Sequence, residues 1–256
     1  MKVVKFGGSS LASGQSVEQA LNIILNDPER QVIVVSAPGK RNNADTKVTD
    51  LLIKYAEQVL KHEETDAIVK QIFARYQEIG YFFGLNDEKL QIIQNILLAL
   101  PNQNYPDNNY LMAAFKAHGE RLNARLIALI LQHENIKSRF LDPVDAGLIV
   151  TGEPNDALVN PESYLNLDQI KIDPNEKIIF PGFFGITPSG NIATFSRGGS
   201  DITGAILARG FHANIYENFT DVNGIFAANP NIVMHPISIK KMTYREMREL
   251  SYAGFS

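Results

Sequence analysis

Short apolar runs that stop at a chain breaker, each followed by a stretch of helical periodicity, constrain this chain more than any other feature. Residues 1–6 (MKVVKF) end at Gly7-Gly8, and "QVIVVSAPG" (31–39) is β-branched and apolar up to its own breaker. Runs of that kind, without polar alternation, suit strands buried on both faces. Between them, "SVEQALNIILNDPE" places Val17, Ala20, Leu21, Ile24 and Leu25 at helical spacing, and Pro28 closes it. The helix is expected to start at Ser10 or Ser13.

The theme continues down the chain. "TDLLIKYAEQVL" (49–60) predicts an amphipathic helix with Thr49 as its N-cap. Residues 61–134 read as a long helical region, broken near Gly84 and between Pro101 and Asp107. Strand character returns in "SRFLDP", "GLIVTG", "KIIFPGFFGIT" and "GNIATFSRGG". A helix from about Ser200 to Arg209, a strand in "ANIYENFTD", a loop "VNGIFAANPN" and a helical "TYREMRELSYAGFS" complete the order. Apolar strands alternating with helices predict an α/β fold, a three-layer α-β-α sandwich around a mostly parallel central sheet. Sites in such sheets lie beyond the carboxyl ends of the strands.

Bulk properties remove several function classes. Of 256 residues 45% are hydrophobic and 20% charged, and 24 basic residues face 28 acidic ones for a net charge of -4. Neither sign forms a long block, which argues against nucleic acid and anionic lipid as partners. There is no cysteine, which excludes disulfides, thiolate metal sites and cysteine nucleophiles. The apolar run at the N-terminus is interrupted by Lys5 and is too short for a signal-peptide core. No segment approaches the roughly 20 apolar residues of a membrane span. A cytoplasmic protein is expected, with no repeat and no low-complexity linker.

The stretches that could carry chemistry follow strand ends. In "KFGGSS" the glycines could cradle phosphate beside a charge-neutralising Lys5, or make a tight turn beside a surface lysine. It matches neither a P-loop nor a dinucleotide fingerprint, which argues against a nicotinamide-dependent oxidoreductase. In "SRGGSD" either Ser200 or Asp201 could cap a helix, whereas Arg197 has no such role and suits a bidentate grip on carboxylate or phosphate. In "AHGERLNARL" Gly119 costs a helix about 0.8–1 kcal/mol against alanine and so suggests close approach by something. Glu120 beside it could hold an ammonium group, and His118 reads as structural or exposed. "FTDVNGIFAANP" offers Thr220-Asp221 and a turn tipped by Asn223-Gly224, and "PGFFG" (181–185) offers either an apolar platform or core aromatics.

Taken in order, "KFGGSS", "SAPG…VTDLL", "HGE" (118–120), "PGFFG", "SRGGSD" and "TDVNGIF" (220–226) resemble the aspartate kinases of the amino acid kinase superfamily. The resemblance runs from Lys5 to about Pro230. It implies transfer of the γ-phosphoryl group of ATP, with Mg²⁺, to the β-carboxylate of L-aspartate, the first step towards lysine, threonine, methionine and diaminopimelate. By resemblance Lys5 stabilises the transferring phosphoryl group and Asp201 organises that lysine. Gly7, Gly8, Ser9, Gly198 and Gly199 bind phosphate. Thr49, Glu120, Phe183, Arg197 and Ser200 bind aspartate, Arg197 at the α-carboxylate and Glu120 at the ammonium. Thr220, Asp221, Gly224, Ile225 and Phe226 serve the nucleotide, and no protein metal ligand is assigned. Residues 1–195 would form the amino-acid-binding lobe and 196–256 the start of the nucleotide-binding lobe. The acceptor carboxylate is already ionised at neutral pH and needs no general base, so positioning and positive charge must carry the reaction.

Three departures from the family pattern stand out. An insertion-like "KRNNADTKV" (40–48), polar and expected to be mobile, precedes Thr49. Asn229-Pro230-Asn231 replaces the family's Asp-Pro-Arg, and Ser256 stands where a family lysine is expected. Family members continue into regulatory ACT domains, so this chain is expected to be part of a longer enzyme; a homo-oligomer stays open. The alternatives are an aspartate- or nucleotide-binding fragment without turnover, and a kinase for another small carboxylate.

Overall fold

The computed structural model describes residues 1–196 and 198–220, together with Gly224, Val233, Met234, Ile237, residues 239–243, Arg245 and Glu246. The chain divides into two units, Met1–Phe219 and Thr220–Ser256. The first unit begins with β1 (Lys2–Phe6), α1 (Gly14–Leu25) and β2 (Arg30–Val35). Four helices follow: α2 (Val48–Leu60), α3 (Asp66–Phe82), α4 (Asp87–Ala99) and α5 (Asn108–His133). Then come β3 (Ser138–Phe140), the antiparallel pair β4 (Val150–Glu153) and β5 (Asp156–Val159), and α6 (Glu162–Asp168). The unit closes with β6 (Lys177–Pro181), the antiparallel pair β7 (Phe184–Ile186) and β8 (Ile192–Thr194), α7 (Gly199–Gly210) and β9 (Ile215–Phe219).

Strands β3, β6, β2, β1 and β9 lie side by side in that order, all parallel. Successive residues on a strand face opposite sides, and each side here has its own core. Val4, Phe6, Ile33, Val35 and Ile179 join an apolar cluster built by α1 to α5. Val3, Val32, Val34, Ile178 and Phe180 join a second cluster with α6, α7 and residues of β4, β5 and β8. Both faces are therefore covered, which is why the strands tolerate no polar alternation; each fully buried Val or Ile contributes about 1.5–3 kcal/mol. The expected three-layer parallel arrangement is the observed one.

The differences are local. The residue capping α2 is Lys47, and Thr49 lies inside the first turn. A three-residue 3-10 turn, Ser9–Leu11, follows Gly8, and of the two expected starts of α1 it is Ser13 that caps the helix, its hydroxyl accepting from the Ser16 amide at 3.3 Å. Residues 154–176, to which the sequence reading assigns no element, contain β5 and α6. Helix α6 is short and is fixed by tertiary contacts: Ser163 Oγ donates to the Ile149 carbonyl (2.7 Å) and Asn166 Nδ2 to that of Gly147 (2.9 Å). The loop before α2 is pinned. Arg75, 4% exposed, donates to the carbonyls of Gly39 (2.8 Å) and Thr46 (2.8 Å) and pairs with Asp45 at 3.0 Å. Arg41 pairs with Asp45 at 2.8 Å and with Glu78 on α3. The Arg41 and Arg75 guanidiniums hold the Asp45 carboxyl well below the usual carboxylate range. Among the described residues no helix is long and apolar enough to cross a membrane.

In the second unit, Gly224 has φ of 142°. Thr243 and Glu246 form a reciprocal cap, Glu246 Oε2 accepting from the Thr243 amide at 2.7 Å and Thr243 Oγ1 from the Glu246 amide at 3.3 Å. Asp221, Ile225 and Phe226, and most of the last helical stretch, lie outside the described residues.

Candidate active site

Beyond the carboxyl ends of β1, β2 and β6 lies an open cleft of about 500 Å³. Its walls bring together Lys5, Thr49, Glu120, Phe183, Gly198, Gly199, Ser200 and Asp201, all read from separate stretches of the sequence. Gly7, Gly8 and Ser9 are not part of the wall. They turn behind Lys5, and a Cβ placed on Gly7 would sit 3.8 Å from its Nζ. Arg197 lies outside the described residues.

One end of the cleft is made by strand ends and the start of α7. Lys5, 8% exposed, pairs through Nζ with Asp201 Oδ1 at 2.7 Å. Asn218 Nδ2 on β9 donates to the same oxygen at 2.9 Å, and Tyr216 donates its hydroxyl to the Asp201 carbonyl at 3.3 Å. The helix is capped by backbone alone: Gly198 takes the left-handed conformation (φ 75°) and its carbonyl accepts from the amides of Asp201 (2.8 Å) and Ile202 (3.0 Å). Neither Ser200 nor Asp201 caps with its side chain, which leaves the Asp201 carboxylate for the lysine. The turn behind Lys5 is equally a backbone device. Gly39 donates its amide to the Gly8 carbonyl at 2.8 Å, and a Cβ on Gly8 would meet the Ala37 carbonyl oxygen at 2.8 Å. Two strand-end turns thus pack main chain on main chain.

The other end is made by helix side chains. Helix α5 is buried along most of its length. A Cβ on Gly119 would lie 2.8 Å from Ala37 Cβ and 3.7 Å from Thr49 Oγ1, so what approaches this glycine is the β2 turn and α2. That contact seats Thr49 beside Glu120. Glu120 is 6% exposed, and its Oε2 has no hydrogen-bond partner. Burial pushes its pKa up to about 8, although the amides of Ala37 and of Glu120 itself pull the other way. A buried carboxylate oxygen with no donor is the place for a ligand's cation. His118 is structural: it is 1% exposed, Nδ1 donates to the Ala114 carbonyl at 2.7 Å, and burial holds its pKa down to about 4.

Phe183 joins the two ends. Its φ is 80°, a conformation that costs a bulky residue about 1–3 kcal/mol. Its amide donates to Thr203 Oγ1 (3.0 Å) and its carbonyl accepts from the Phe195 amide (2.8 Å), which fixes that backbone. The ring packs on α7, where a Cβ on Gly199 would meet it at 2.5 Å. The sequence reading missed Ser36, Lys47, Asp50, Lys116 and Asn155, which also line the cleft. For Lys116 a signal existed, since it stands four residues before Glu120 on a predicted helix. For Asn155, on the β4–β5 turn, there was none.

A glycine-turned parallel sheet with a lysine–aspartate pair facing a buried carboxylate defines a class. The sequence profile of the amino acid kinase family matches residues 1–256, and the chain belongs to that family. It is 48% identical to Aspartokinase 3 of Bacillus subtilis (strain 168) over 256 residues, covering 100% of this chain and 56% of that protein. The Clostridium acetobutylicum aspartate kinase structure superposes with a TM-score of 0.79 at 35% identity, over 98% of this chain and 54% of that one. Escherichia coli aspartokinase III in complex with lysine and aspartate gives a TM-score of 0.74 at 25% identity, over 93% of this chain and 53% of that one. The chain therefore spans about half the length of the relatives it matches.

Proposed function

We propose that this chain carries the phosphoryl-transfer site of an aspartate kinase, which moves the γ-phosphoryl group of ATP to the β-carboxylate of L-aspartate. The observation that carries the reading is the content of one cleft: a buried Glu120 whose Oε2 has no hydrogen-bond partner, and the Lys5–Asp201 pair. Its likeness to aspartokinases over its whole length supports the same substrate.

In this reading Glu120 takes the substrate ammonium and Thr49 and Ser200 flank the amino acid. A β-carboxylate oxygen attacks the γ-phosphorus as the bond to the β,γ-bridging oxygen breaks, and ADP leaves with that electron pair. No proton has to move in the attack, because the acceptor is ionised at neutral pH. Lys5 offsets charge on the transferring oxygens, and Asp201 and Asn218 fix where its ammonium points. Mg²⁺ would enter with the nucleotide phosphates and supply positive charge there, and Asp201, a carboxylate of the same cleft, is the residue that would help hold it. Arg197 at the α-carboxylate, and Thr220, Asp221, Gly224, Ile225 and Phe226 at the nucleotide, belong to the proposal, as do the lobes 1–195 and 196–256. The cytoplasmic location and the place at the head of lysine, threonine, methionine and diaminopimelate synthesis belong to it too.

The test is ADP release measured with ATP, Mg²⁺ and L-aspartate, beside Lys5→Ala and Arg197→Ala. Aspartate-dependent turnover that falls by about 10²–10³-fold in Lys5→Ala, with Arg197→Ala chiefly raising the KM for aspartate, is the expected result. Saturable aspartate binding without turnover would leave the chain only the binding half of the role.

A further inference from the structure

Lys116 and Glu120 stand one turn apart on α5 and line the same cleft. Side chains at this spacing reach each other readily. Yet neither has an ion-pair partner among the described residues. The Lys116 ammonium lies instead over the Phe183 ring, 5.9 Å from its centroid, and that ring is itself held by a strained backbone. Burial pushes the Lys116 pKa down just as it pushes that of Glu120 up. Two ionisable groups of opposite sign thus line one cleft, Glu120 buried and Lys116 partly so, with no ion-pair partner among the described residues, and ionising both costs free energy in the empty protein.

A ligand that relieves both must present a cation to Glu120 and an anion to Lys116, separated by about one helical turn, roughly 6 Å between the two anchoring Cα positions. The head group of an amino acid does so, with its ammonium and α-carboxylate on one carbon. A phosphate does not, because Glu120 would repel it. We propose that Lys116 is a substrate-binding residue that holds the α-carboxylate of the amino-acid substrate, while the Phe183 ring seats the lysine's own ammonium. The inference rests on the aspartate kinase reading and adds to it a contact supplied by α5.

Calorimetric titration of the chain with L-aspartate and with β-alanine tests it. β-Alanine keeps the ammonium and the reacting carboxylate and lacks the α-carboxylate. Lys116→Met is expected to weaken L-aspartate binding by roughly 10- to 100-fold, the scale of one charge-assisted hydrogen bond, and to leave β-alanine within about threefold. Lys116→Arg should retain most of the L-aspartate affinity, and serves with Lys116→Gln if the methionine variant does not fold. In turnover, the KM for aspartate should rise while kcat and the KM for ATP stay within about threefold. Undiminished L-aspartate binding in Lys116→Met and Lys116→Gln, or an equal loss for both ligands, would overturn the inference and leave the aspartate kinase reading standing. A wild-type chain that neither binds L-aspartate nor turns it over would overturn both.

Discussion

The strand-end and helix residues of the cleft handle their charges in opposite ways. At the strand end, Lys5 and Asp201 neutralise each other at 2.7 Å, and Asn218 donates to the same carboxylate oxygen at 2.9 Å. At the helix end, Glu120 and Lys116 share a cleft and leave their charges unpaired. The first end is organised in advance, as suits a group that must meet a transition state. The second is completed only by its ligand, so its binding energy and its cost to the free protein have the same source.

Asp201→Asn is the sharpest way to break the strand end. The amide keeps the shape and removes the charge that holds Lys5. Turnover should fall by about 10²-fold, with L-aspartate affinity unchanged within about threefold, read by ADP release beside calorimetry. A matching loss of aspartate affinity would mean that the two ends are not separable.

Glu120→Gln acts on the helix end and should move two readouts in opposite directions. L-aspartate affinity should drop by roughly 30- to 100-fold as the ammonium loses its charged partner. Stability of the ligand-free chain should rise. The folded pKa of Glu120 is raised to about 8 from an ordinary 4.5, so the folded state holds its proton longer than the unfolded one. The stability this gives is present below about pH 4.5 and is lost as pH climbs towards 8. Thermal melts at pH 8 should show the glutamine variant more stable by about 1–3 kcal/mol, and melts near pH 4.5 should show a much smaller gap.

His118 gives the smaller, mirrored effect. Its folded pKa is lowered to about 4 from 6.5 by burial and by Arg121 and Arg125, with Asp142 and the Ala114 carbonyl opposing. The unfolded chain therefore binds the proton first, and stability should be lost as pH falls from 6.5 towards 4. His118→Asn should flatten that slope by about 1–3 kcal/mol in denaturant melts, with aspartate affinity at neutral pH unchanged within about threefold. An unchanged slope would place the acid sensitivity elsewhere.

Much of the fold could be read from the chain. Apolar runs cut by Gly7-Gly8, Pro38-Gly39 and Pro181-Gly182 mark strands of the parallel sheet, because burial on both faces leaves no polar alternation. The helices α1 to α5 follow from periodicity, Lys5 and Asp201 from short stretches whose turn chemistry is local, and Glu120 from its place beside a helical glycine. The strand in "GLIVTG" was legible as β4, whereas β5 and α6 did not announce themselves; α6 is fixed by side-chain bonds to the distant carbonyls of Gly147 and Ile149. Tertiary structure alone decided which charges meet. It brought Asp201 to Lys5 by setting α7 against β1 and β9, and it pinned the polar loop before Thr49 on the buried Arg75 of α3. It turned Phe183 to a positive φ and so laid its ring under Lys116. Periodicity and turn preference are properties of neighbours in sequence. The pairing, burial and orphaning of charges depend on distances between residues far apart along the chain, and only the packed fold sets those.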